Sequence, residues 1–181
     1  MSVSLRVTSA SRTDKGNVRD HNEDACLELP ARGIWAVADG MGGYSGGDVA
    51  SRMVVDALRS VGAERSPGRL LDDVEDALTA VNERLVDMSS ASETASPIGS
   101  TVAILIVAGD HCVVAWMGDS RIYRLRGGEF VQLTRDHSEV EELVGRGAIT
   151  REEALNHSAA NVVTRAVGGT RSLFLDVDIH E

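Results

Sequence analysis

A chain of 181 residues, 43% hydrophobic and 25% charged, has the length and balance of one globular domain with a substantial core. Its formal net charge of −10 argues against nucleic acid or an anionic membrane as partner, because both need a basic face. Cys26 and Cys112 stand far apart with no CxxC spacing, so neither a zinc site nor a disulfide framework is expected, and both read as buried thiols. No apolar run approaches bilayer-spanning length, and these absences predict a cytoplasmic protein.

In chain order, Val3 to Thr8 is predicted as a first strand, followed by a polar loop through Thr13-Asp14-Lys15-Gly16-Asn17. Cys26 to Leu29 and Ile34 to Ala38 read as two strands around a Pro30-Ala31-Arg32-Gly33 turn, with Asp39 where the second ends. Val49, Met53, Ala57 and Val61 recur every four residues, the apolar stripe of an amphipathic helix. Ser66-Pro67 matches an N-cap with proline at the first helical position. From there Leu71, Val74, Leu78, Val81, Leu85 and Met88 step by three and four along a second, longer helix. Ser89 to Ser96 is small and polar and reads as a mobile connection.

The remainder is richer in strands. Ser100 to Val107 and Cys112 to Met117 flank Gly109-Asp110, and Arg121 to Arg126 and Glu129 to Thr134 flank Gly127-Gly128, two hairpins. Two short helices are expected around Glu139 to Val144 and Arg151 to Asn156, the second with Thr150 and Glu153 at capping-box spacing. Val162 to Val167 and Leu173 to Ile179 are further short apolar segments. Strands, a helix pair and then hairpins favour an α+β fold over a parallel α/β sheet.

Three acidic segments carry the chemistry: Asn22-Glu23-Asp24, Asp39-Gly40-Met41-Gly42-Gly43 and Gly118-Asp119-Ser120-Arg121. Each puts carboxylates beside a predicted strand end, the oxygen donors that Mg²⁺ and Mn²⁺ prefer. Arg19, three residues before Asn22, is suited to gripping two phosphate oxygens. Acids for metals, metals for water and an arginine for phosphate point to metal-assisted phosphate hydrolysis.

Other readings fit less well. An isolated Asp-Gly is usually only a turn, but four further glycines follow Gly40 before the helix. A dinucleotide loop fails because Ser45 takes its last glycine position, and a P-loop fails because Asp48-Val49 stands where Lys and Ser/Thr are required. Asp20 to Asp24 is no EF-hand, since Ala25 replaces the turn glycine and Ala31 the closing glutamate. Ser120 lacks the second glycine of a nucleophile elbow. His21, His137 and His157 are isolated and read as surface or hydrogen-bonded residues rather than ligands.

Taken in order, Val18-Arg19-Asp20-His21-Asn22-Glu23-Asp24, Ala38-Asp39-Gly40-Met41-Gly42-Gly43, Gly99-Ser100-Thr101 and Gly118-Asp119-Ser120-Arg121-Ile122-Tyr123 resemble PPM-type (type 2C) metal-dependent Ser/Thr protein phosphatases. Leu133-Thr134-Arg135-Asp136-His137-Ser138 and Asn161-Val162-Val163-Thr164-Arg165-Ala166-Val167-Gly168 continue the match. Met41 after Asp39-Gly40 resembles the bacterial members, and the sequence as a whole resembles those that accompany type VI secretion systems.

The resemblance implies a four-layer α-β-β-α sandwich of two antiparallel sheets flanked by helix pairs, with 138–160 as a flap beside the active site. It implies that Asp39 bridges two Mn²⁺ or Mg²⁺ ions, that the Gly40 carbonyl binds one, and that Glu23 and Asp24 hold metal-bound waters. Arg19 would grip the substrate phosphate, and Asp119 would contribute to a third metal site. Activated water would then attack the phosphorus of phosphoserine or phosphothreonine, with Ser/Thr-kinase targets and the kinase itself as partners.

Met41 cannot donate a proton, so no side chain is assigned as acid for the leaving oxygen, and water at the metals is the preferred candidate. The family's closing Ser-Asp-Gly and Asp-Asn motifs are absent, and Asp176 and Asp178 lack the neighbours to replace them. The chain is therefore expected to be a single phosphatase-like domain over 1–181 that is incomplete at its C-terminus, with C-terminal strands missing. The competing expectation is a catalytically weak or inactive regulatory module of the same shape.

Overall fold

The computed structural model describes residues 6–42, 46–62, 66–91 and 97–180. Strands β1 (Asp24–Leu29) and β2 (Ile34–Met41) are joined by a 3₁₀ turn, Pro30–Arg32. Helices α1 (Gly46–Ser60) and α2 (Pro67–Ala91) follow. Then come β3 (Gly99–Ser100), β4 (Val102–Ala108), β5 (His111–Met117) and the hairpin β6 (Tyr123–Arg126) with β7 (Glu129–Gln132). Short helices α3 (Glu139–Gly145) and α4 (Arg151–Ala154) precede β8 (Asp176–His180).

The main sheet is antiparallel in the order β1-β2-β4-β5-β8, with β3 also paired to β2, and β6-β7 forms a second, two-stranded sheet. This is the expected α+β arrangement of two antiparallel sheets with a helix pair outside. Among the described residues the pair α1–α2 covers one face of the main sheet, and the small hairpin sheet belongs to the other side. Central strand β4, Val102-Ala103-Ile104-Leu105-Ile106-Val107-Ala108, is apolar without alternation because both of its faces pack.

On the helix face, Ile34, Ala36 and Ala38 meet Ile104, Ile106, Val113 and Ala115 under Val54, Leu58, Leu78 and Leu85. On the opposite face Ala103, Val114 and Trp116 pack with Leu105, Ile122 and Leu133. Strand pleating therefore sends alternate residues of each strand to two different environments.

Several expectations shift. The buried stripe of α1 is Ala50, Val54 and Leu58, with Val61 buried just beyond the helix end, while Val49 is 40% exposed. An every-four count drifts around a helix of 3.6 residues per turn, so the chosen set runs along the flank of the buried stripe. Residues 6–8 of the proposed first strand pair with no strand, and 1–5 lie outside the described residues. Ser89 and Ser90 continue α2 rather than leaving it, and 92–96 lie outside the described residues. Ser90 Oγ donates to the Val86 carbonyl, and Ser89 Oγ accepts from the Ile98 amide at 3.0 Å, tying the helix end to the next segment. Val162 to Val167 is a loop held by the isolated bridges Ser138–Val163 and Ser100–Val167. Cys26 and Cys112 are unpaired thiols as expected, but only half-buried.

Asn82 of α2 is fully buried and closes this arrangement. Its amide nitrogen donates to the carbonyls of Thr170 and Arg171, and its oxygen accepts from the Gly168 amide at 2.7 Å. The clamped loop in turn backs Ser100 through the Val167 pairing. Asn82→Ala would leave these groups without their partner and is expected to cost about 2 kcal/mol. Urea unfolding should show a lowered midpoint with an unchanged slope.

Candidate metal centre

The β1–β2 ladder decides the centre of the site. Its register pairs Ala25 with Ala38 and Leu27 with Ala36 on the helix face, so Asp24 and Asp39 oppose each other on the other face at the strand ends. Two like charges directly opposite are destabilising in a sheet. Asp39 accordingly titrates near pH 6, raised first by partial burial and then by Asp24, Asp119 and Glu23.

The backbone around Asp39 is fixed from below. Its amide donates to Thr101 Oγ1 at 3.1 Å, and its carbonyl accepts from the Thr101 amide at 2.9 Å and from Ser100 Oγ at 3.1 Å. Ser100 and Thr101 are buried, so these bonds are shielded from water. Asn22 shapes the other strand end, accepting from the Asp24 amide at 3.0 Å and donating to Thr13 Oγ1 at 2.7 Å.

Gly40 lies in phase with the inward-facing residues and touches α1. A Cβ added there would stand 1.8 Å from the Gly47 carbonyl oxygen, and one on Gly47 would stand 2.5 Å from Glu23 Oε1. The same point beside Gly47 is 2.8 Å from the Gly40 carbonyl oxygen, so this carbonyl and the Glu23 carboxylate gather against the first turn of α1. Gly40 and Gly47 thus admit a close approach of backbone to backbone here.

An open cleft of about 540 Å³ takes in Arg19, Glu23, Asp24, Asp39, Gly40 and Asp119. All six residues singled out from the sequence thus line one cavity, together with Lys15, His21 and Asn161. Among the described residues no three carboxylate, histidine or cysteine side chains close on one point as a finished metal cage. The donor chemistry nevertheless fits a hard divalent cation: crowded carboxylates, a backbone carbonyl, and an Asp39 whose pKa is raised by burial first and then by its neighbouring carboxylates.

Sequence reasoning missed the scaffold of the third acidic segment. Gly118 has φ of +111°, and a Cβ on it would lie 2.6 Å from Thr101 Cβ, so only glycine fits this turn. Ser120 Oγ shares a 2.7 Å hydrogen bond with Thr101 Oγ1, which leaves it an anchor rather than a nucleophile. His137 and Asp176, both set aside above, meet Arg165 next to Gly118. His137 and Arg165 lie in two of the segments that carry the resemblance, and the Asp176–Asp178 alternation marked one strand face, which the register shows to be that of Trp116.

A second cleft of about 670 Å³ shares Asp119 and Asn161 with the first and runs under α3 and α4. Ser138 caps α3, and Thr150 with Glu153 forms the expected capping box of α4. Glu141 accepts from both Arg135 and Arg151, fastening the two helices to the end of β7.

With this fold and a carboxylate-lined cleft, the chain belongs to the protein phosphatase 2C family, whose model matches residues 13–168. It is 37% identical over 167 residues to the serine/threonine protein phosphatase PstP of Mycobacterium tuberculosis, covering 92% of this chain and 32% of that protein. It is 38% identical over 164 residues to the serine/threonine phosphatase stp of Listeria welshimeri, covering 87% of this chain and 65% of that protein. The chain therefore spans less than two thirds of the length of these relatives.

The solved structure of PppA, a key regulatory component of the type VI secretion system in Pseudomonas aeruginosa, superposes with a TM-score of 0.85 at 41% identity. That superposition covers 94% of this chain and 70% of PppA. The catalytic domain of PstP, solved in complex with two manganese ions, superposes at 0.79 with 34% identity over 93% of this chain and 70% of that one.

The Asp39 environment gives a pH test. A carboxyl with a raised folded-state pKa destabilises the fold only where it ionises, so its penalty is absent below about pH 4 and complete above about pH 6. Asp39→Asn should therefore stabilise the chelator-treated protein at pH 7 by about 1 kcal/mol, solvent screening of this exposed group having been allowed for, and leave it unchanged at pH 4. Urea unfolding at the two pH values measures the difference.

Proposed function

We propose that this chain hydrolyses phosphoserine and phosphothreonine in proteins, using Mn²⁺ or Mg²⁺ ions gathered at Asp39. The observation that carries the reading is the opposition of Asp24 and Asp39 at one cleft with Arg19, in a chain of this family. Such ions, when bound, would supply Lewis acidity and lower the pKa of bound water.

The residues then divide the remaining work. Asp39 and the Gly40 carbonyl hold the ions, Glu23 and Asp24 orient waters, and Asp119 contributes to a third ion. Arg19 takes two phosphate oxygens in its planar fork and offsets charge that develops on them. The engagement of Ser120 Oγ with Thr101 supports water rather than a side chain as nucleophile.

The helices over 138–160 act as a flap, since the second cleft beneath them opens onto Asp119. The substrates are targets of a Ser/Thr kinase, and the kinase itself. The net charge of −10 speaks against nucleic acid or an anionic membrane as a further partner, and we assign the activity to the cytoplasm. Among the described residues no helix is long and apolar enough to cross a membrane.

One observation favours a second reading, a binding module of the same shape without turnover: the carboxylates of the described residues do not close on one point. Hydrolysis separates the two. Release of phosphate from a phosphothreonine peptide should require Mn²⁺, and Asp39→Asn should lower kcat/KM by at least about 100-fold. Arg19→Ala should lower it by about 10- to 100-fold, the worth of a charge-assisted hydrogen bond to the phosphate. An absence of turnover with tight phosphopeptide binding would establish the module instead.

A further inference from the structure

We propose that His137 is a positioning residue for Asp119: its ring and backbone together hold Gly118, and so fix the carboxylate that follows. The inference rests on the phosphatase reading only in taking Asp119 as a metal ligand. His137 is 8% exposed and does not line the cleft, so it acts on the site through Gly118.

Both backbone polar groups of Gly118 are satisfied by this one residue. The Gly118 amide donates to His137 Nδ1 at 3.0 Å, and the His137 amide donates to the Gly118 carbonyl at 2.9 Å. Opposite, Thr101 Cβ packs where a Gly118 side chain would stand. Gly118 is thus gripped from two sides, and Asp119 leaves it in one direction.

The grip works in only one tautomer. Nδ1 accepts, so the ring proton sits on Nε2, where it donates to Asp176 Oδ2 at 3.2 Å. Arg165 Nη1 lies 3.0 Å from Nε2 but donates to Asp176 Oδ1 at 2.9 Å, and its Nη2 donates to the Phe174 carbonyl at 2.8 Å. Burial lowers the His137 pKa, in keeping with a neutral ring. Trp116 stacks beneath, with ring centroids 6.2 Å apart. The His137 carbonyl accepts from the Thr164 amide at 2.8 Å, fixing the backbone as well.

This arrangement predicts an unusual substitution pattern. Asparagine puts its amide oxygen where Nδ1 stands and can accept from Gly118, whereas glutamine extends to the position of Nε2 and cannot. Mn²⁺ titration calorimetry of the parent should contain a component that Asp119→Asn removes. His137→Gln should weaken that component by about 10- to 100-fold, the usual loss when an outer partner of a metal ligand is removed. His137→Asn should keep it within about twofold, and Asp119→Asn with His137→Gln should be no worse than Asp119→Asn alone.

Nitrogen-15 spectra of the parent should show a scalar coupling between the Gly118 amide and His137 Nδ1 across their hydrogen bond. That measurement decides even where a variant does not fold, and its absence would overturn the proposal. Equal Mn²⁺ binding by the parent and His137→Gln, equal loss in the Asn and Gln variants, or no Asp119-dependent component would overturn it too. Failure to hydrolyse phosphopeptide with the Mn²⁺ pattern intact would sink the phosphatase reading alone and leave the positioning role standing.

Discussion

The structure depends on a conflict at the end of the β1–β2 ladder. Five rungs from Leu29–Ile34 to Ala25–Ala38 set the register, because Leu27, Ile34, Ala36 and Ala38 must face the helices. The sixth rung then has no freedom: Asp24 and Asp39 are brought together although their charges repel. A slip by one residue would separate them, but it would also turn the apolar set toward the other face. Core burial therefore bears the cost of the site. The same alternation sends Gly40 and Glu23 inward to the first turn of α1, so neighbouring residues serve different sides of one centre.

What could be read from the sequence follows from how local each signal is. The proline at the start of α2, the Gly127-Gly128 turn and the capping box of α4 are decided by a few adjacent residues, and the structure contains each of them, whereas β2 runs on through Asp39-Gly40 to Met41 because both residues find cross-strand partners. The carboxylates were legible for the same reason. The α1 stripe was misplaced by one position because Val49 is as apolar as Val54, and only packing against the sheet separates them. Val162 to Val167 has strand composition, yet it meets two different segments through isolated bridges, Val163 with Ser138 and Val167 with Ser100. Serines at the end of α2 looked like linker, but one bonds back to its own helix and the other reaches Ile98.

The least legible part was the support of the third acidic segment. Thr101, Ser120, His137, Arg165 and Asp176 come from five separate places in the chain, four of them in segments that carry the resemblance, but no local pattern says that their side chains meet. Their meeting follows from topology. β5 runs beside β8, so Trp116 pairs with Asp176, and the chain leaving β7 passes over that rung at His137. A polar residue on a strand acquires its role from what crosses its face, which alternation alone cannot name.

These supports also make the carboxylates interdependent. Thr101 accepts from the Asp39 amide, bonds Ser120 and packs against Gly118, so the second and third acidic segments share one buried side chain. His137 holds Gly118 from the other side and stands next to Ser138, the cap of α3. A displacement of α3 therefore has a short route to Asp119, through one residue and two hydrogen bonds. Asp39 is better insulated, because its contacts run to β3 and β4 in the core rather than to the surface helices. The two carboxylates face the same cleft from different supports: Asp39 is held by buried Ser100 and Thr101, and Asp119, which also borders the second cleft, follows a turn that His137 joins to the cap of α3.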